Sequence, residues 1–360
     1  MIDWTKSMKQ TFEFWEIDPG TWKKKRRLTE ILSSKISRDS SAATLETASI
    51  EGTEFLGECY VRIIMIVLQN GITYDIPLGT FLIQSPSSNF DGKINKISMD
   101  AYSPLLELRD GKPPLGFTLL KDSNIMSNVC ALTNDNCRAP VAIITGDRDK
   151  FTSNFTADPD ESWLDYISAM LKGTNYDLAL DEIGRVIFVP YQTTESMQPR
   201  WTFTDDNSSI LLPSVSYDND IYGIPNVVEV VYSDTDGSGE SLFYYSKVVN
   251  DDPNSPTSTV ARGREIIYRD TTPSINGTPS QEVVDHYAVQ LLEDLSSVTH
   301  SVKYTHGYCP VRVGDCVRLN YVRAGLTNIK AKVTSQEIDC KSGCSVSETA
   351  VYTTKLWKGE

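Results

Sequence analysis

The sequence predicts a mainly β protein with a small α+β insert, and three observations carry that prediction. Residues 44–110 alternate β-rich runs with turn residues, β-like runs return from 201 onward, and helical signals gather in 111–200 apart from one long helix. The expected divisions are a first β module with an N-terminal extension over 1–110, the insert over 111–200, and a second β module over 201–360 that carries a crossover helix at 279–298.

In the first module TLETASI, CYVRIIMIVL, ITYDIPLGTFLIQS and KINKISMDAY are separated by Glu51-Gly52, Asn70-Gly71 and Asp91-Gly92. Asn-Gly accepts positive φ at both central positions of a tight turn, so Asn70-Gly71 predicts a hairpin. Lys23, Lys24, Lys25, Arg26 and Arg27 form the only dense basic run. It reads as a solvated strand edge or loop, with an assembly contact to an acidic partner as the alternative.

Gly111-Lys112-Pro113-Pro114 marks a change of character. Ile125, Met126, Val129, Cys130, Thr133 and Cys137 then recur at helical spacing. Asp158-Pro159-Asp160-Glu161 predicts a helix start, Leu164, Ile167 and Leu171 its buried stripe, and Gly173 its left-handed stop. YDLALDEIGRVIFVP reads as two strands whose turn uses Gly184.

From 201 the strands WTFTD, SILLPSVSY, PNVVEVVYS and SLFYYSKVV are joined by polar loops. Thr278-Pro279-Ser280-Gln281 has the form of a capping box, and Val284, Ala288, Leu291, Leu295 and Val298 mark one helix face. CVRLNYV, IKAKVTSQEID and VSETAVYTTKLW close the chain as strands. IPLGTFLI at 76–83 and VRVGDCVRL at 311–319 give a faint echo between the modules, each with a glycine between apolar residues and a strand.

Composition narrows the function. With 360 residues, 40% of them apolar, the chain can build more than one core without disulfide staples, which excludes a disordered or collagen-like protein. Against 34 basic residues stand 48 acidic ones, a net charge of −14, which argues against a protein whose main task is gripping nucleic acid. The N-terminal segment has no secretory pattern, so folding in a cytosol is expected. VRIIMIVL at 61–68 is interrupted by Arg62 and falls short of the ~20 residues of a membrane span.

Chemistry is sparse. The three histidines are His286, His300 and His306; the last two share one strand face near Cys309 but match no recognised metal spacing. Cys309, Cys316, Cys340 and Cys344 offer a zinc or iron–sulfur alternative, yet their spacing also matches no strong pattern, and buried free thiols are the favoured reading. There is no Gly-x-Ser-x-Gly elbow and no phosphate loop; GSGES at 237–241 sits in a polar loop. No catalytic residue, cofactor or metal is assigned.

The wording of the strands adds a resemblance. GITYDIPLGTFLIQSPSSNFDGKINKISMDAYSPLLEL resembles the first module of bacteriophage tail hub proteins, also called baseplate hub, tail tip or minor tail proteins. PNVVEVVYS, GREIIYRD and VGDCVRLNYVRAGLTNIKAKVTSQEIDCKSGCSVSETAVYTT resemble the second. The resemblance covers most of the chain and rests on turn and strand patterns. It implies a virion protein made in a bacterial host cytoplasm, two tube-like β modules per chain, and a homotrimeric ring at the distal end of the tail tube. Its implied partners are the distal tail or tail tube protein, a tip spike or fibre, and the tape measure protein, with DNA only in passage. Such a hub adapts six-fold tube symmetry to a three-fold tip. Two alternatives stand beside it: a tail-associated peptidoglycan hydrolase with its site in the insert, and a receptor- or glycan-binding tail protein using loop aromatics in 191–203.

Overall fold

Strand formation follows the alternation of apolar and polar side chains. The computed structural model describes residues 2–90, 92, 95–219, 221–235, 241–273 and 280–359. Its first strands are β1 (Lys9–Ile17), β2 (Lys24–Leu28), β3 (Ile31–Asp39), β4 (Glu46–Gly52), β5 (Tyr60–Gln69), β6 (Ile72–Phe90) and β7 (Asn95–Tyr102). Next come α1 (Leu105–Asp110), β8 (Thr118–Leu119), α2 (Ile125–Asn136), β9 (Phe155–Thr156), α3 (Trp163–Leu171), β10 (Tyr176–Leu180) and β11 (Val186–Pro190). The chain continues through β12 (Trp201–Thr204), β13 (Leu211–Asn219), β14 (Val227–Thr235), β15 (Ser241–Val249), α4 (Thr259–Arg262), β16 (Ile267–Asp270) and α5 (Gln281–Leu295). It closes with β17 (Ser297–Gly307), β18 (Cys316–Tyr321), β19 (Leu326–Asp339) and β20 (Ser345–Lys355).

The chain divides into two compact units, Met1–Val215 with Lys303–Ala350 and Ser216–Val302 with Val351–Glu360. One large sheet runs in the order β13-β17-β20-β19-β3-β4-β7-β6-β5-β1-β2, with β18 beside β19 and β12 beside β18. β19 and β3 join the C-terminal strands to the N-terminal ones, from Ser335↔Asp39 to Asp339↔Lys35. Within this sheet, β3-β4-β7-β6-β5 and β13-β17-β20-β19-β18 are two five-strand sets with the same order: first, second, fifth, fourth, third.

Corresponding strands carry matching residues. Val61-Arg62 of β5 stands with Val317-Arg318 of β18, and Ile97-Ser98-Met99-Asp100-Ala101 of β7 with Val346-Ser347-Glu348-Thr349-Ala350 of β20. The glycine echo instead compares unlike places. Gly79, at φ +155, lies inside β6 beside the register shift at Ile63/Ile64, whereas Gly314, at φ +95, lies in the turn before β18. A bulge and a turn both demand glycine, so the residue type alone aligned the wrong elements.

The insert helices bury Met126, Val129, Leu164, Ile167 and Met170 in one cluster with Trp22, Tyr60, Leu82 and Leu105 of the preceding segments. α3 starts later than its sequence suggests. Ser162 is its cap: its Oγ accepts the Asp165 N–H at 3.1 Å and donates to the Asp165 carboxylate at 2.6 Å. Asp158–Glu161 forms a preceding turn in which the Glu161 carboxylate accepts the Asp158 N–H at 3.0 Å. Gly173 is not left-handed, because the helix ends at Lys172 in the ordinary helical conformation.

In the second unit β15-β14-β16 form a three-stranded sheet, and Val228 and Val230 pack on Val284, Ala288 and Leu292 of α5. Ser280 caps α5, accepting the Val283 N–H at 3.3 Å. Thr278 and Pro279 of the expected capping box, Asp91 of an expected turn, and 237–240 of the GSGES segment lie outside the described residues. The helix stops at Leu295, and Val298, expected on its stripe, is a buried residue of β17. The β-branched run around Val298 and Thr299 favours the strand.

Candidate assembly site

The edges of the large sheet set what it can bind. On one edge, β19 pairs with β18 over its first half and with β3 over its second. β6 begins in the same way, pairing with β5 as far as Leu82, after which the Ile83 N–H donates to the Cys59 carbonyl at 3.0 Å. Beyond that point, among the described residues, Gln84–Phe90 pairs with β7 alone, and its other edge is open.

The strands at the two ends of the main path, β2 and β13, differ sharply. β2 carries Lys24, Lys25, Arg26 and Arg27, all exposed, next to a register shift at Glu16/Ile17. Charges and bulges of this kind discourage pairing with another chain. β13 reads Leu-Leu-Pro-Ser-Val-Ser-Tyr-Asp-Asn and has no basic residue.

The basic run is largely matched within the chain. Lys25 and Arg26 meet Glu16 at 2.6 and 3.2 Å, Arg26 also meets Glu30 at 3.4 Å, and Arg27 meets Glu13 at 3.1 Å. Lys24 lies 3.5 Å from Asp75 and 4.9 Å from the Trp15 ring centroid. Lys23 is exposed just before the strand.

Behind the β19–β3 seam is a buried polar network that the sequence did not reveal. Arg38 of β3 donates to the Gln336 side chain of β19 and to the Leu78 carbonyl, and its Nε faces Glu46 at 3.3 Å as an ion pair without hydrogen-bond alignment. Arg312 closes on the same Glu46 carboxylate. Gln336 donates onward to Val311 O at 2.9 Å and to Glu348 at 2.6 Å. Glu348 also accepts the Tyr304 hydroxyl at 2.7 Å and lies 3.3 Å from His306 Nε2, which has the distance of an ion pair but not the alignment of a hydrogen bond. Burial acts most strongly on Glu348 and would raise its pKa; His306, Tyr304 and Gln336 together outweigh it and hold the carboxyl below its ordinary value.

A second lock holds the insert to the first repeat. The Ile183 carbonyl accepts from Trp22 Nε1 at 2.9 Å, Arg62 Nη2 at 3.1 Å and Thr80 Oγ1 at 2.8 Å. Gly184, at φ +76, lets this turn approach: a Cβ there would stand 2.8 Å from Thr80 Cβ.

One face of the sheet across the seam is polar. Ile36, Arg38, Ala48, Ile50, Met99, Ala101 and Ile338 point into the buried layer, while the alternate positions Lys35, Asp39, Glu51, Lys96, Asp100, Glu337 and Asp339 point away from it. Acids outnumber bases there, and Lys35 is itself paired with Glu337 at 2.6 Å.

Cys309, Cys316, Cys340 and Cys344 are free and buried. Burial pushes the Cys340 thiol up to about 12 and raises Cys309, Cys316 and Cys344 as well, so all four are protonated hydrophobes at neutral pH. Among the described residues, no group of three or more His, Cys, Asp or Glu is placed to hold a metal. His306 packs on Phe203 with ring centroids 4.6 Å apart, and His300 stacks on Tyr352 at the same distance. No described helix is long and apolar enough to cross a membrane.

No protein-family model and no curated protein matches the sequence. Solved structures do match it. A tail protein from Neisseria meningitidis aligns with TM-score 0.60 at 11% identity, over 95% of this chain and 96% of that one. The 43 kDa tail protein of prophage MuSo2 from Shewanella oneidensis aligns with TM-score 0.61 at 10% identity, over 96% and 98%. A chain of the Francisella PdpA–VgrG complex aligns with TM-score 0.55 at 8% identity, over 99% of this chain and 54% of that one. By its near full-length superposition on the first two, the chain has the fold of these tail proteins.

Proposed function

We propose that the chain is a structural tail hub, three copies of which form a ring at the distal end of a phage tail tube. The observation that carries this reading is the repeated five-strand order within one sheet. Three chains then supply six similar modules, so the ring meets a six-fold tube on one side and a three-fold spike or fibre on the other. The tail tube or distal tail protein and the tape measure protein are its further partners. In the 23–27 run, an acidic partner would compete with Glu13, Glu16, Glu30 and Asp75 for exposed cations.

The acid-rich face across β19-β3-β4-β7 suits a channel wall. Carboxylates repel phosphates and allow no counterion-release gain, so duplex DNA passes without sticking. The chain acts without catalysis in this reading. Acids at 158–161 serve local needs, Glu161 capping the Asp158 N–H and Asp160 meeting Lys112 at 3.3 Å.

Native mass spectrometry with negative-stain imaging tests the proposal: a trimer with a central hole is expected, and a solitary monomer counts against it. Duplex DNA should not bind at physiological salt, whereas Glu51→Lys with Asp100→Lys and Glu337→Lys should create salt-sensitive binding. Tight binding by the unaltered chain would refute the channel-wall assignment.

A further inference from the structure

We infer that a second copy of this chain lays the latter half of its β13, Val215–Asn219, along the open half of β6, Gln84–Phe90. The inference rests on the ring proposed above and locates its seam. Inside the chain, the fourth strand of the second set, β19, uses its latter half to pair with the fifth to ninth residues of a nine-residue first strand, β3. The other combination of the same two positions is β6 with β13, which is also nine residues long. Among the described residues both edges are open, and six strands separate them in the sheet order, so the pairing falls between copies.

Chemistry at the edges agrees. An open edge exposes a row of unpaired N–H and C=O groups, and a sheet that is to stay single blunts it with charge. β2 is blunted in this way by four cations in a row, whereas Gln84–Phe90 and Leu211–Asn219 contain no Lys or Arg and carry, of the residues that blunt an edge, only Pro86, Pro213 and Asp218. Pairing β6 of one copy with β13 of the next is head-to-tail, which repeats until the rotation closes a ring.

Register follows from the repeat. With Val61 equivalent to Val317, their partners Phe81 and Ala331 are equivalent, so Ser335–Asp339 of β19 correspond to 85–89 of β6. Lys35–Asp39 of β3 correspond by position to Val215–Asn219. The internal ladder then places Ser88 opposite Ser216, both exposed in the single chain. The same correspondence puts Met99 where the internal seam has Glu348, and Pro86 where it has Gln336. The seam between copies therefore lacks the buried polar network and is the one that opens first.

A chain carrying Cys59→Ser, Ser88→Cys and Ser216→Cys tests the seam under mild oxidation. Covalent dimers and trimers are expected on a denaturing gel, while Ser88→Cys with Ser214→Cys, two residues out of register, should give far fewer. Ser88→Pro removes an edge donor and should weaken assembly on the order of tenfold while the circular dichroism of the chain stays unchanged. A native trimer that cross-links through neither pair and ignores Ser88→Pro overturns the seam and leaves the ring standing. A chain that stays monomeric at high concentration overturns both.

Discussion

The latter halves of β19 and β6 are the same structural position used in two ways. In β19 this half is paired with β3 and backed by Arg38, Glu46, Gln336 and Glu348; in β6 it is open and backed by Met99. The difference teaches that one repeat geometry can serve as a permanent joint where a buried polar network is placed behind it, and as an assembly edge where it is not. Buried, hydrogen-bonded charge is costly to separate, whereas a backbone ladder alone exchanges water for partner at modest net gain.

The comparison breaks most visibly at Arg38. Arg38→Met leaves Gln336 and the Leu78 carbonyl without their donor and weakens the charge balance at Glu46. The expected loss is about 3–5 kcal/mol, read as a lower urea midpoint, whereas Ser88→Pro at the open position should leave that midpoint unchanged.

Acid should act on the closed joint in the same sense. The folded pKa of Glu348 lies below its unfolded value, so its contribution is present above the ordinary carboxylate range and is lost as pH falls through the folded value. Glu348→Gln should flatten this part of the acid limb in a stability-versus-pH series. An unchanged slope would remove Glu348 from the account.

A smaller effect separates the insert from the repeat it covers. Gly184→Ala forces a side chain into left-handed backbone and toward Thr80, at an expected cost of about 1–3 kcal/mol. Its signature is faster hydrogen exchange in β10, β11 and the Trp22 turn, with β19 and β3 unaffected.

The smallest effect belongs to the charged end strand. Arg27 is about half exposed, so Arg27→Gln should change stability by less than about 1 kcal/mol. If β2 is kept single by its charge, replacing Lys24, Lys25, Arg26 and Arg27 together by Thr should instead produce higher-order aggregates in light scattering.

Local patterns were legible where local physics decides them. The β5–β6 hairpin appears at Asn70-Gly71, whose φ values are +51 and +78, and α2 appears over the residues whose spacing marked it. β1 was harder to read, because its apolar face, Phe12, Phe14 and Ile17, is broken by a shift near its end and interleaved with Glu13, Trp15 and Glu16. The basic run was plain in sequence, but its matching to Glu13, Glu16 and Asp75 depends on which strands flank it.

By itself the sequence determined a mainly β chain with two helices in a middle segment and one long later helix, because alternation, turn residues and caps act over a few neighbours, while the short α1 and α4 left no periodic signal. The tertiary structure alone decided that the two strand sets share one sheet through β19 and β3, and that one latter half is closed and the other open. Arg38 and Gln336 are 298 residues apart, and a hydrogen bond across that separation leaves no periodic trace. Pairing between distant strands is set by the energy of the whole sheet, where ladder bonds, burial and charge must be satisfied together.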